Sequence, residues 1–390
     1  MTEYRPETRA VHVPHPVVEG SRPISVPIYQ TSGFAFDDPA VMAEGMTAPD
    51  GAYVYGRYSN PTVRALEEAV AGLEGGVAAV AAGSGMGAIN TVLLGLLKPG
   101  DHLIAQRALY GGTAAMLNEL VARFGVEVSY VPEHDPAALR AAARPETKLV
   151  YLETIANPMC RVADLPAMCA TARELGLVSV VDNTFATPLL CRPIEHGADV
   201  VVHSTTKYLS GHSDVLGGMA VFADDALYRK LWHFAVELGP SPDPFAAWLT
   251  LRGMQTLALR MERHCGNARL LATRLAGHPA VAAVHWPGLP THPSYEVAGK
   301  LLPDFGGVFS FDLAGGRAAG ERFMRSVRLA LVAPSLGGVE TLILHPATTS
   351  HRSLGPDELA RHGIGEGTVR VAVGIEHPED LWADFEQALA

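Results

Sequence analysis

The sequence predicts an α/β protein, with a large domain on a mainly parallel sheet followed by a smaller C-terminal α+β domain. Two observations predict it. Between residue 61 and about residue 250, short and almost wholly apolar runs alternate with amphipathic stretches. Continuous apolar strands between amphipathic helices mark a parallel sheet covered on both faces. A Pro-rich break, Gly239-Pro-Ser-Pro-Asp-Pro244, then ends the alternation, and strands recur beyond it with fewer helices. A chain of 390 residues, 48% hydrophobic and 18% charged, can bury the cores of two such domains.

Residues 1–60, rich in Pro, Gly and Tyr and without sustained period, read as an extended N-terminal arm. Asn60-Pro61-Thr62, with Glu67 and Glu68 after it, starts a helix that Gly75-Gly76 ends. Alternation follows: a strand over 77–81, a helix over 85–97 stopped by Pro99-Gly100, a strand over 102–105, a helix over 113–124 and a strand over 126–130. A strand over 148–152, a helix over 165–175 and strands over 177–181 and 200–203 complete the large domain, 61–250. The C-terminal domain, 251–390, shares a long helical stretch from about 245 to 277. It then has strands at 308–313, 342–344 and 369–373 and a terminal helix at 379–390.

The formal net charge of −11 disfavours nucleic acid or an anionic membrane as partner, since both need a basic face. The first ten residues have no apolar core of signal-peptide length, and no apolar run is long enough to span a bilayer. A cytoplasmic protein is expected. Cys160, Cys169, Cys191 and Cys265 have no metal-site or redox spacing and read as buried free thiols; no metal is expected.

Parallel sheets bind ligands beyond the C-terminal ends of their strands. After strand 77–81 comes Ala82-Gly-Ser-Gly-Met-Gly87, a glycine-rich helix start that favours an anion. Such starts are common. After strand 177–181 comes Asp182, equally suited to cap a helix or a turn. After strand 200–203 comes Ser204-Thr-Thr-Lys207-Tyr208, and a lysine ending a buried strand is unlike an ordinary surface lysine. An anion site, a strand-end aspartate and a strand-end lysine, in this order, are what pyridoxal 5′-phosphate (PLP) needs for its phosphate, its pyridine nitrogen and its aldehyde.

The chain resembles the Cys/Met-metabolism (trans-sulfuration) family of PLP enzymes. The resemblance rests on Pro27-Ile-Tyr-Gln-Thr31, Tyr55-Gly-Arg-Tyr-Ser-Asn-Pro-Thr62, Ser84-Gly-Met-Gly-Ala88, Tyr110-Gly-Gly-Thr113, Glu153-Thr-Ile-Ala-Asn-Pro158, Asp182-Asn-Thr184, His203-Ser-Thr-Thr-Lys-Tyr208, Ser335-Leu-Gly-Gly-Val-Glu340 and Val369-Arg-Val-Ala-Val-Gly-Ile-Glu376. It implies the aspartate-aminotransferase-like fold type I, with a seven-stranded-type sheet. It implies Lys207 as the Schiff-base lysine and proton shuttle, Asp182 as partner of the pyridine nitrogen, and Tyr110 as the ring over the cofactor. Ser84, Gly85, Met86, Asn157, Thr184, Ser204 and Thr206 complete the implied cofactor site, together with Tyr55 and Arg57 donated across a subunit interface. Arg370 is implied as the clamp on the substrate α-carboxylate, helped by Asn157 and Ser335, with Tyr55, Gly112 and Pro334 also around the substrate. A homotetramer of two active dimers acting on a small amino acid is implied as well. Read without the resemblance, the tyrosines suit an interface or a core and Arg370 a structural ion pair.

Departures bear on the substrate. Pro334 stands where cystathionine-handling members carry an acid, and methionine γ-lyases an apolar residue. Gly112 stands where methionine γ-lyases carry cysteine, and Ala235-Val236 where they carry Lys-Asp. Ile155-Ala-Asn-Pro158 and the segment 361–367 look closer to methionine γ-lyases, and Glu340 disfavours the sulfhydrylases. The expectation is a methionine-γ-lyase-like γ-elimination at an apolar, roomy distal pocket. The rivals are γ-replacement of the cystathionine γ-synthase or homoserine-ester sulfhydrylase type, a cystathionine γ- or β-lyase, and a catalytically silent binding protein. Intact Lys207, Asp182 and Arg370 speak against the last.

Overall fold

Seven of the twelve strands among the described residues form one sheet: β1 (Ala78–Ala82), β2 (His102–Gln106), β3 (Glu127–Val131), β4 (Thr147–Glu153), β5 (Val178–Asp182), β6 (Val200–His203) and β7 (Gly218–Phe222). This computed structural model describes residues 4–14, 21, 23–352 and 355–390, and of residues 356, 358 and 361 only the backbone. The strand order is β1-β7-β6-β5-β4-β2-β3, all parallel except β7, which runs antiparallel between β1 and β6. Five of the six strands expected in the large domain, β2 to β6, stand side by side with helices between them, and the sixth, β1, is separated from them by β7. Strand β7 was not expected from the sequence.

Period-two alternation sends neighbouring residues of each strand into different cores. Leu103, Tyr151, Val180 and Val202 pack in one hydrophobic cluster, while Ile104, Leu152, Val181 and Val201 pack in the other. Helices Gly85–Leu96 and Asp225–Leu238 cover the first face. Helix Pro61–Glu74 covers the second, its start capped by the Asn60 carboxamide, which accepts from Thr62 N at 2.9 Å. Gly75, with φ of 81°, ends it in the left-handed conformation that glycine adopts freely.

The remaining strands, β8 (Val281–His285), β9 (Val308–Leu313), β10 (Leu331–Val332), β11 (Leu342–Leu344) and β12 (Thr368–Ala372), form a second sheet in the order β10-β11-β12-β9-β8. The long helical stretch is two helices, Pro244–Met254 and Leu257–Ala276, broken at Gln255-Thr256. The arm also departs from its extended reading. Pro6–Val11 and Pro39–Gly45 are short helices, and Ala10, Val13 and Val26 are buried in the second-face core. Proline at the first turn supports both helices. Residues 1–3, 15–20 and 22 of the arm lie outside the described residues. All four cysteines are buried free thiols. Among the described residues no helix is long and apolar enough to cross a membrane.

Candidate active site

A cavity of about 840 Å³ opens beyond the C-terminal ends of β1, β4, β5 and β6, where a parallel sheet places its ligand. Strand β1 leads through Gly83 into Ser84, whose hydroxyl accepts from Gly87 N at 3.0 Å and caps helix Gly85–Leu96. The first-turn N–H groups of Gly85 and Met86 cannot reach a helix carbonyl and are free for an anion. A Cβ on Gly85 would lie 2.7 Å from Ser204 Cβ, so glycine here lets the helix start and the β6 loop share one wall. Ser204 N donates to Thr184 Oγ1 at 2.9 Å, and Thr206 Oγ1 accepts from Gly217 N at 2.9 Å. Hydroxyls and amides therefore gather at the mouth of the helix.

The cations come next. Lys207 Nζ lies 2.8 Å from Ser335 Oγ. Burial, with the Arg370 charge adding to it, pushes its ammonium down to about 8, so a neutral and nucleophilic amine is accessible near physiological pH. Arg370, on β12, is buried. Its Nη1 donates to Asn157 Oδ1 at 3.2 Å and its Nη2 to the Ser335 carbonyl at 2.5 Å, while Nε has no partner. An enclosed guanidinium with a spare donor and no carboxylate partner is prepared for an incoming anion. Ser335 holds φ at 92°, a conformation costly for a residue with a Cβ. Strain at the residue that touches both cations sits where function tends to store it.

The acids are Asp182, at the end of β5, and Glu153, at the end of β4, which are register neighbours on the same face. Desolvation raises both carboxyls, and Glu153, itself buried, is raised well above the usual range with the Asp182 charge adding to the effect. Thr184 N donates to Asp182 at 2.9 Å, and Tyr110 N donates to Glu153 Oε1 at 2.6 Å. On the opposite face, a buried chain ties the same strand ends to helix Pro61–Glu74. Thr154 donates to Asn183 at 2.8 Å, Asn183 donates to Glu74 at 2.8 Å, and His203 Nε2 sits 2.5 Å from the same Glu74 oxygen.

The cavity brings together Lys207, Asp182, Tyr110, Ser84, Gly85, Met86, Asn157, Thr184, Ser204, Thr206, Ser335, Arg370, Gly112 and Pro334. Tyr55 and Arg57 do not line it. Tyr55 is exposed, and Arg57 donates to the Val236 carbonyl of its own chain at 2.6 Å and covers the Tyr58 ring. Ala235 and Val236 are buried in the first-face core, away from the cavity wall. Glu153, Thr349, Ser350 and Arg352 line the cavity without having been singled out. Glu153 was legible by the strand-end rule, since it follows Leu152 directly.

These residues fit PLP. Asp182, whose carboxyl desolvation raises, would be relieved by a cationic N–H such as a pyridinium. The amine of Lys207 stands in the same cavity, and the glycine-walled helix start leaves room for a phosphate.

The sequence matches the family model described as Cys/Met metabolism PLP-dependent enzyme over residues 7–390. An L-methionine γ-lyase of Porphyromonas gingivalis is 45% identical over 94% of this chain and 92% of its own length. An O-succinylhomoserine sulfhydrylase of Pseudomonas aeruginosa is 41% identical over 93% and 90%. The structure of cystathionine γ-synthase from Xanthomonas oryzae pv. oryzae, with aminoacrylate and cysteine, superposes with a TM-score of 0.93 at 40% identity, covering 99% of this chain and 98% of that one. A polar strand-end site of this geometry on this fold, matched along almost the whole sequence, places the chain in the Cys/Met-metabolism family of PLP-dependent enzymes.

Proposed function

We propose that the chain catalyses α,γ-elimination from a γ-substituted L-amino acid, releasing a 2-oxo acid, ammonia and the γ-group, as a methionine γ-lyase does. One observation carries this reading. Pro334 and Leu336 flank Ser335 in the cavity wall, and the acids among the described lining residues are Asp182 and Glu153 alone. A distal ammonium, such as that of cystathionine, has no acid left to meet there, whereas an apolar thioether suits the wall.

The roles follow from the geometry. PLP, when bound, supplies an electron sink for the pair left at the substrate Cα. Arg370 receives the α-carboxylate on its spare donors, with Asn157 and Ser335 fixing the guanidinium plane. Lys207, held beside Ser335, is neutral often enough to carry the coenzyme and to take the Cα and Cβ protons in turn. Tyr110, at the start of helix Gly111–Phe124, lines the cavity and would return a proton to the departing group. Asp182 would hold the pyridine nitrogen, and Gly85, Met86, Ser204 and Thr206 would hold the phosphate, with Ser84 and Thr184, which accept from Gly87 N and Ser204 N, bracing that end of the site. Tyr55 and Arg57 act on the phosphate of a neighbouring subunit, since neither enters its own cavity. That calls for a homo-oligomer, read as a tetramer of two active dimers, working in the cytoplasm.

γ-Replacement on an acylated homoserine is the second reading. Similarity to a sulfhydrylase and to a γ-synthase close to that for the methionine γ-lyases favours keeping it. One experiment separates the readings. Holoenzyme is given L-methionine or L-cystathionine, with and without added thiol, and 2-oxobutanoate, free thiol and thioether are followed. Methionine should yield 2-oxobutanoate and methanethiol. Rapid turnover of cystathionine with none of methionine overturns the apolar-pocket argument, and diversion of 2-oxobutanoate into thioether by added thiol establishes replacement.

A further inference from the structure

The cavity holds two acids, Asp182 and Glu153, and the pyridine nitrogen needs its anion on the first of them. Strand register sets the two carboxyls side by side on one face of the sheet, Glu153 opposite Asp182. Neighbouring carboxyls in a dry setting do not both ionise. The donors that each one meets decide which of them carries the charge. Glu153 meets backbone, accepting from Tyr110 N at 2.6 Å and facing the Asn157 N–H. Asp182 accepts from Thr184 N at 2.9 Å and meets the Thr184 hydroxyl as well, and His203, at the end of β6, favours its ionised form.

One more donor belongs to neither the cofactor set nor the substrate set. Tyr151 lies two residues before Glu153 on β4, so its side chain leaves the sheet on the same face. It is fully buried in the first-face core. Its hydroxyl completes no hydrogen bond of full geometry, and neither does that of Thr113, buried in the first turn of helix Gly111–Phe124. The Tyr151 hydroxyl is nevertheless within side-chain reach of both Asp182 and Thr113. Burial, with the Asp182 and Glu153 charges adding to it, raises the phenol well above its ordinary value, so the oxygen keeps a proton to give. A buried hydroxyl is costly to leave unpaired, and the acceptor in its reach is a carboxylate.

We infer that Tyr151 is a positioning residue for the coenzyme: with Thr113 behind it, it donates to Asp182 and so keeps the negative charge of the acid pair on Asp182 and off Glu153. The inference rests on the assignment of Asp182 to the pyridine nitrogen and goes beyond it, since neither Tyr151 nor Thr113 lines the cavity.

The affinity of the apo chain for PLP, measured by equilibrium dialysis, tests this apart from turnover. Y151F keeps the ring and removes only the donor, and should raise the Kd about five- to tenfold, the size of one hydrogen bond. T113V leaves the tyrosine in place and removes the hydroxyl behind it, and should raise the Kd about two- to threefold. Two backgrounds separate positioning from structural support. With D182N the carboxylate is gone, and Y151F should then change the Kd less than about twofold. With E153Q no rival carboxyl can take the charge, and the loss caused by Y151F should shrink to about twofold. A structural prop would cost the same affinity in all three backgrounds. A Kd that Y151F and T113V leave at the parent value, or a loss that persists undiminished in D182N or in E153Q, overturns the inference while Asp182 keeps its role. A D182N chain that binds PLP as tightly as the parent overturns the assignment of Asp182, and the inference with it.

Discussion

Glu153 shows how one side chain serves several parts of the site. It accepts from the backbone of Tyr110, lies beside Asp182 across the β4–β5 register, and is buried. Burial and the neighbouring charge raise its carboxyl, so the folded chain tends to hold it protonated. Glutamine mimics that form. E153Q should retain kcat/KM within about threefold, whereas E153A, which leaves Tyr110 N unpaired, should lose about ten- to a hundred-fold. The stability sign follows from linkage. A carboxyl raised in the folded state contributes stability below its unfolded pKa and loses it as pH rises through the folded one. Apo E153Q should therefore gain thermal stability over the apo parent as the buffer moves from acid to neutral pH. Lys207 sets the opposite slope for coenzyme capture. Its amine is the nucleophile, and burial brings it to about 8. The rate at which apo chain captures PLP should rise roughly tenfold per pH unit below that point and level above it. A flat profile in stopped-flow absorbance would show that the amine is already neutral at low pH. Lys207, Asp182 and the glycines were legible because each follows an apolar strand. Glu153, directly after Leu152, was equally placed, but it was read only as the first residue of the Glu153–Pro158 match and given no role. The packing of the 349–352 segment over helix Gly111–Phe124 is a tertiary fact with no sequence period at all.

At the scale of elements, the site depends on how the turn before β11 meets the loop after β6. Gly337 holds φ at 78°, and a Cβ there would lie 2.5 Å from Tyr208 N and 2.9 Å from Lys207 C. Backbone cannot give way as a flexible side-chain tip can. Gly337→Ala should therefore cost about 2 kcal/mol or more in stability. It should also move Ser335 off Lys207 and Arg370, lowering kcat/KM for methionine even in molecules that remain folded. Denaturant titration together with kinetics at a temperature well below unfolding separates the two effects. Most of this architecture was readable where apolar runs and helix punctuation agreed, as from Asn60 to Gly75 and in β5, β6, β9 and β11. Strand β7 was missed because it follows the Lys207 loop with no helix between, and so returns antiparallel outside the alternation. Helix Asp225–Leu238 was missed although Asp224 caps it and Gly239 ends it, because the Pro-rich break after it drew the boundary. The arm's helices are too short for a period to register, and burial of Ala10 and Val13 against the core stabilises them more than propensity does.

The whole molecule poses a question that one chain cannot answer alone. Of the residues matched to the cofactor, only Tyr55 and Arg57 stay outside the cavity, although both belong to the segment leading into helix Pro61–Glu74. That helix reaches the back of the strand ends through Glu74, Asn183 and His203, so arm and site are mechanically continuous within a chain. If the arm serves the neighbour's phosphate, each active site in a two-fold dimer takes its lysine from one chain and its arginine from the other. Chains bearing only R57A or only K207A then form defective sites throughout. Mixed after unfolding and refolded together, they should recover about a quarter of the parent activity, because half the dimers are hybrids and each hybrid holds one intact site of two. R57A alone should bind PLP more weakly by equilibrium dialysis, since a charged hydrogen bond to the phosphate is lost. A mixture no more active than the sum of its two components would mean that Arg57 works within its own chain, where its contact with the Val236 carbonyl already places it.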